Sequence, residues 1–258
     1  MRCGYIQFNV SHNKEENFRH IREAMQKFQG DLVVLPELCM CGYLFRNRDA
    51  LLHVAEDVPF GTTTQKMMEL SATYGCIIVF GLAEIDGDFV YNTAVVVGNG
   101  KYFGKYRKIH LSDFEKKFFK RGESNVVFDV EVCKIGIQIC FDLWFPEVSR
   151  EQVKQGANIL IALANYGGET TGKIAQIRAI ENITPLIVCN RVGTEYLPEM
   201  DAYFLGKSQI LNQYGECIGV SLPDMETVET AVLEIERKHS NVICSDFDAE
   251  INLHPIYE

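Results

Sequence analysis

The sequence predicts a single α/β domain with helices outside a sheet, and three observations predict it. Apolar runs of strand length alternate with segments of helical periodicity. Several of those runs are continuous rather than alternating, as in strands covered on both faces. No Pro-, Gly- or Ser-rich linker divides the 258 residues, and a chain that is 47% hydrophobic and 23% charged can bury one sizeable core.

The elements follow in order. A strand-like run begins at Met1 and includes Ile6 to Phe8. Phe18, Ile21, Met25 and Phe28 fall at helical spacing after Asn13, a capping residue, and Gly30 stops that helix. Leu32 to Leu35 is an apolar strand that ends at Pro36-Glu37. Thr62 to Tyr74 reads as a helix closed by Gly75, and Cys76 to Gly81 as a strand. Tyr91 to Val97 and Lys101 to Tyr106 flank Asn99-Gly100, which predicts a hairpin. In the second half, Val132 to Ile139 is a strand, Pro146 opens a helix that Gly156 closes, and Asn158 to Ala164 is a buried strand. Lys173 to Asn182 reads as a helix and Leu186 to Cys189 as a strand. Ser208 to Leu211, Cys217 to Val220 and Ala231 to Ile235 read as later strands, the first two joined at Tyr214-Gly215. The stretch 240–258 lacks strong periodicity and reads as a C-terminal tail.

An internal echo is present. Strand, helix, Gly30, apolar strand and Glu37 match strand, helix, Gly156, apolar strand and Asn165. Related halves would put Glu37 and Asn165 at equivalent strand ends, although any βαβ unit shares this pattern.

Composition excludes several functions. A formal charge of −10, spread along the chain, would repel nucleic acid. No apolar run reaches the roughly 18 residues a membrane helix needs, and the N-terminus lacks the marks of a signal segment, so a cytoplasmic setting is expected. Nine cysteines, several inside apolar runs, argue against a disulfide framework. Cys39 and Cys41 have C-x-C spacing but no obvious further ligands, and no metal or cofactor is expected.

Three islands place a reactive side chain at a strand end or just past it, where α/β folds build sites. In Leu35-Pro36-Glu37-Leu38, a carboxylate ending an apolar strand loses hydration, which suits it to proton transfer near neutral pH. Gly104 to Leu111 is a basic stretch containing Lys108. In Gly136-Ile137-Gln138-Ile139-Cys140-Phe141-Asp142, a cysteine closes a strand before a short turn, leaving backbone N–H groups such as that of Phe141 free. Each island alone has a plain reading: a solvated glutamate, a basic loop, a packed thiol.

Together they resemble the nitrilase (carbon-nitrogen hydrolase) superfamily, whose Glu-Lys-Cys triad stands in this order within L-P-E, Y-R-K-x-H and C-x-D-x-x-x-P-E contexts. Tyr91-Asn92, Phe119 and Gly122, Arg178 to Asn182, and Asn190-Arg191-Val192-Gly193 match as well. The resemblance implies a four-layer α-β-β-α sandwich, commonly paired through its helices into a homodimer, with a tail that often crosses to the partner. It implies Glu37 as general base, Cys140 as nucleophile and Lys108 at the oxyanion, with Glu115 as a second glutamate that assists. A neutral thiol needs such a base and cation, because at its usual pKa near 8.5 few molecules are ionised at pH 7. Asp142 fits a role in tying down the turn, and Arg178 and Glu181, three apart on a helix, fit a structural pair.

The expected substrate is a small amide or carbamoyl amine. Trp144 stands where relatives acting on α-keto acid amides often carry Arg, and Phe141-Asp142 departs from the Trp-Glu of large nitrilases. A small nitrile is the alternative, followed by an acyltransferase or a silent binding protein. Tyr43, Phe141, Trp144, Asn165 and Tyr166 flank the islands as candidate pocket residues.

Overall fold

The computed structural model describes residues 1–253 apart from 237, 239 and 242. Two six-stranded sheets lie face to face. The first contains β1 (Arg2–Gln7), β2 (Leu32–Val34), β3 (Ile77–Asp86), β4 (Phe89–Gly98), β5 (Lys101–Arg107) and β14 (Thr227–Val232), in the order β14-β1-β2-β3-β4-β5. The second contains β6 (Val127–Asp129), β7 (Lys134–Ile139), β8 (Ile159–Leu163), β9 (Leu186–Cys189), β12 (Gln209–Leu211) and β13 (Cys217–Val220), in the order β13-β12-β9-β8-β7-β6. A separate ribbon joins β10 (Val192–Leu197) to β11 (Met200–Leu205).

Side-chain alternation along each strand builds the layers. Cys3, Tyr5, Leu32, Val34, Ile77 and Val79 meet Ile135, Ile137, Ile139, Ile159, Ile161 and Leu163 between the sheets. Their neighbours point the other way. Val33, Leu35, Ile78 and Phe80 cover Ile21, Met25 and Met67 from α1 (Lys14–Met25) and α3 (Thr62–Tyr74). Leu160, Ala162, Leu186 and Val188 pack on Val153, Ala175 and Ala179 from α4 (Pro146–Lys154) and α5 (Thr170–Asn182). The result is the expected α-β-β-α sandwich. Strands sealed on both faces explain why their sequences read as unbroken apolar runs.

The internal echo has a counterpart in topology. β1-β2-β3 are parallel, flanked by antiparallel β14 and β4; β7-β8-β9 are parallel, flanked by antiparallel β6 and β12. Glu37 stands three residues past β2 and Asn165 two residues past β8, so each follows the middle parallel strand of its sheet.

Several local expectations need correction. The segment expected at 132–139 starts at Lys134, because Val132 sits exposed in the preceding turn. The strand expected at 231–235 is β14, displaced upstream to pair with β1, and only its last two residues fall in the expected span. The helix expected from Lys173 begins at Thr170. The short helix α2 (Arg48–Val54), the edge strand β6 and the β10–β11 ribbon were not foreseen: their burial is one-sided or slight, so no apolar run marks them. The tail region 240–258 contains the exposed α6 (Phe247–Asn252), while 254–258 lie outside the described residues.

Candidate active site

Glu37 stands just past β2, and Leu38 immediately turns the chain with a left-handed φ of 49°. The segment lies so close to β3 that a Cβ on Gly81 would come within 2.5 Å of the Leu38 nitrogen, so glycine is required there. Lys108 stands just past β5, where alternation sorts three basic residues. Lys105 and Arg107 go to the buried Glu84 on one side. Lys108, past the strand end, goes to the interior.

There its Nζ lies 2.7 Å from Glu37 Oε1 and 2.7 Å from Glu115 Oε1. Asn92 on β4 donates from Nδ2 to the same two oxygens, at 2.7 and 2.9 Å. Glu115 Oε2 accepts the Ser112 N–H at 2.9 Å. All four side chains are 1% exposed. Two carboxylates and one ammonium thus share a desolvated space with a net charge of −1, and their proton affinities separate. Burial pushes the Glu37 carboxyl up to about 7, with Lys108 opposing and Glu115 reinforcing. Burial acts the same way on Glu115, but Lys108, Ser112 and Asn92 outweigh it and hold that carboxyl below its ordinary value. Lys108 stays protonated: burial disfavours its charge, and the two carboxylates more than compensate.

Cys140 ends β7 and opens a short 3-10 turn, Cys140–Trp144, with φ 46°. A non-glycine residue in this region is strained and persists only where its surroundings hold it. Asp142 supplies the hold. Its Oδ2 accepts from the Ile139 N–H at 3.0 Å and the Tyr106 hydroxyl at 2.8 Å. Its Oδ1 accepts from the His110 N–H at 2.9 Å, with His110 Nδ1 also 2.9 Å away. One buried carboxylate therefore bolts the cysteine turn to the lysine loop. The Cys140 thiol, partly exposed, contacts the Asn165 carbonyl oxygen at 3.6 Å. Burial and then Glu37 raise its pKa while Lys108 lowers it, so at neutral pH it rests as the thiol.

The structure thus brings Glu37 and Glu115 together on Lys108 and Asn92, with Cys140 near enough for Glu37, Lys108 and Glu115 to act on its charge. The pocket candidates are spread around them. Tyr43 stands beside the carboxylates, its hydroxyl 3.0 Å from Ser112 Oγ, its ring against Phe114 and Phe204. Phe141 packs between Trp144 and Phe145. Trp144 is half-exposed and donates to Thr171 Oγ1 at 3.3 Å, which ties it to α5. Tyr166 is buried, its backbone clasped by the Asn190 side chain and its hydroxyl donating to the Lys207 carbonyl. Asn165 is buried with both side-chain atoms unpartnered among the described residues.

Sequence reasoning did not place Asn92, Ser112, His110 or Glu195 in the site. Asn92 could have been found, as a polar residue inside the apolar strand Val90 to Val97. Glu195 had no local signal. Its carboxylate accepts the N–H groups of Tyr43 and Leu44, 152 and 151 residues away, and pairs with the buried Arg191. Arg178 binds Glu181 at 2.9 Å as expected, and its Nε also donates to the Leu143 carbonyl in the cysteine turn.

Comparison with known proteins shows the fold and the family. A "Nitrilase" of Pyrococcus abyssi is 37% identical over 243 residues, 91% of this chain and 90% of its own. An "N-carbamoylputrescine amidase" of Arabidopsis thaliana is 30% identical over 251 residues, 88% of this chain and 83% of its own. Among solved structures, a carbon-nitrogen hydrolase from Helicobacter pylori superposes with a TM-score of 0.84 at 25% identity, covering 91% of this chain and 89% of that one. The family model for carbon-nitrogen hydrolases matches residues 3–240, and the chain belongs to that family, within the nitrilase superfamily of enzymes that cleave C–N bonds other than peptide bonds.

Proposed function

We propose that the chain hydrolyses a small amide or carbamoyl amine through an acyl-enzyme on Cys140, releasing ammonia. The observation that carries this reading is the division of labour on Glu37. Its Oε1 is taken by Lys108 and Asn92, whereas Oε2, equally buried, has no hydrogen-bond partner among the described residues. Oε2 is the atom assigned to the thiol proton. Because the thiol rests neutral, proton transfer accompanies attack rather than preceding it.

In the first half-reaction the Cys140 sulfur bonds to the carbonyl carbon as its proton passes to Glu37. The carbonyl oxygen becomes an oxyanion that accepts from Lys108 Nζ and the Phe141 N–H. Collapse breaks the C–N bond, Glu37 returns the proton to the departing nitrogen, and ammonia leaves a thioester. Water then attacks the thioester, Glu37 takes its proton, and the acid departs with the thiol restored. Glu115 holds Lys108 in place and keeps the Glu37 carboxyl high. Losing one oxyanion donor costs about 10²–10³ in kcat.

A nitrile substrate is the second reading, favoured by the name of the Pyrococcus abyssi relative. Both chemistries begin with sulfur attack on the same carbon, but a nitrile gives a thioimidate that must take up water to reach the tetrahedral adduct an amide forms directly, and both then lose ammonia to the same thioester. Ammonia release from a panel of small amides, carbamoyl amines and nitriles, with Cys140→Ala as control, separates them. Turnover of amides or carbamoyl amines is expected, and turnover of nitriles alone would replace this reading with the second. A requirement for an amine acceptor would instead make the chain an acyltransferase.

The proposal extends to a homodimer in a cytoplasmic setting. The outer face of α5 leaves Ile177 and Ile180 half-exposed, which suits pairing through helices. The described cysteines are all free, as in a reducing compartment, and no described helix is long and apolar enough to cross a membrane. Mass in solution checks the dimer.

A further inference from the structure

The Asn165 side chain is an anomaly in this fold. Buried amides normally find partners for both ends, because leaving a donor and an acceptor unpaired forfeits their hydration. Asn165 is 9% exposed, yet neither Oδ1 nor Nδ2 meets a partner among the described residues. Its backbone carbonyl is in contact with the nucleophile, which places the residue beside the reacting sulfur. Two further oxygens of the same cluster, Glu37 Oε2 and Asn92 Oδ1, are likewise buried and unpartnered. Among the described residues the site therefore has a surplus of acceptors: three unpaired side-chain oxygens against one unpaired donor, Asn165 Nδ2, plus the Asn165 carbonyl once the thiol proton has gone.

Substrate chemistry follows from that surplus, given the reading of Cys140 and Glu37 above. A carbamoyl amine, R–NH–CO–NH2, brings three N–H donors to the region around its carbonyl. A primary carboxamide brings two, and a nitrile none. With the carbonyl oxygen directed to Lys108 and the Phe141 N–H, the NH2 faces the Glu37 side. On the retained side, only the carbamoyl compound has an N–H to offer, where the carboxamide has CH2.

We infer that Asn165 is a specificity residue that accepts this retained N–H, and that the enzyme's substrates are carbamoyl amines rather than aliphatic amides or nitriles. Sites built to hydrogen-bond a substrate group discriminate strongly against analogues lacking it, because the protein partner is then left unpaired.

Butylurea and hexanamide test this, since they differ only in NH against CH2 beside the carbonyl. The wild-type chain should show kcat/KM at least tenfold higher for butylurea, from ammonia release. In Asn165→Leu, which keeps the volume and removes the polar atoms, both substrates should slow, butylurea by at least tenfold more. A wild-type preference for hexanamide would overturn the inference without needing the variant, as would a butylurea preference that survives Asn165→Leu. Should Asn165→Leu fold poorly by circular dichroism, the wild-type ratio still decides. Ammonia release that persists in Cys140→Ala would instead overturn the underlying reading of the site, a distinguishable result.

Discussion

Glu37 owes its proposed role to burial more than to any neighbour, and that gives it a pH signature. It must be ionised to take the thiol proton, and its carboxyl is pushed up to about 7. The value of kcat/KM should therefore fall as pH drops through about 7 and level off above it, the midpoint belonging to the coupled cluster. Glu115 contributes part of that upward push, so Glu115→Gln should move the acid limb to lower pH. A limb that stays in place or moves upward would show that Glu115 does not act on Glu37 through charge. Asp142 gives a second prediction. The Tyr106 hydroxyl and the Ile139 N–H donate to one of its oxygens and the His110 N–H to the other, so an amide nitrogen in place of either oxygen would face a donor. Displacing reacting groups by about 1 Å can cost 10²-fold, and Asp142→Asn should lower kcat by about that factor with a smaller change in KM. The triad residues were legible because their order and motif contexts resemble those of the nitrilase superfamily, while the chemistry itself requires only the residue types. Ser112 was not, since its role depends on which face of the lysine loop meets Glu115, and Asn92 left only the signal of a polar residue inside an apolar strand.

At the scale of elements, local signals that act within one turn were readable and long-range ones were not. Asn13 was read as a cap, and its side chain accepts the N–H groups of Glu15 and Glu16. Asn13→Ala should cost about 1 kcal/mol in urea unfolding while leaving ammonia release unchanged. The Arg191–Glu195 pair is the opposite case. Arg191 is fully buried, stacks on Phe204 at 4.3 Å and donates to the Val10 carbonyl, and Glu195 fastens the Tyr43 loop. Removing one partner of such a pair leaves a buried charge uncompensated, so Arg191→Met should destabilise by about 3 kcal/mol or more. A variant as stable as the wild type would mean that Glu195 is satisfied by the loop amides alone. The β10–β11 ribbon carrying Glu195 was missed because its residues are exposed and buried by turns, with no sustained apolar face.

For the whole molecule, the sandwich follows from strands that are apolar on both faces. One face meets the other sheet and one meets helices, so a continuous apolar run is the natural sequence for each central strand. That is why β2, β8 and β9 were found close to their true bounds, while the edge strands β6 and β14, covered on less than two faces, were missed or displaced. The two sheets repeat one strand order, and their parallel strands deliver Glu37, Cys140 and Asn165 at carboxyl ends. The fold thus brings three distant stretches of chain to one buried cluster, and the central claim is that this cluster acylates itself on sulfur. Intact-protein and peptide mass spectrometry of the chain quenched during turnover of a small amide or urea tests that claim most directly. The account predicts a mass gain equal to the substrate less ammonia, confined to the peptide containing Cys140 and absent from Cys140→Ala. Ammonia release with no such adduct in Cys140→Ala and wild type alike, or an adduct on another of the nine cysteines that tracks turnover, would contradict it.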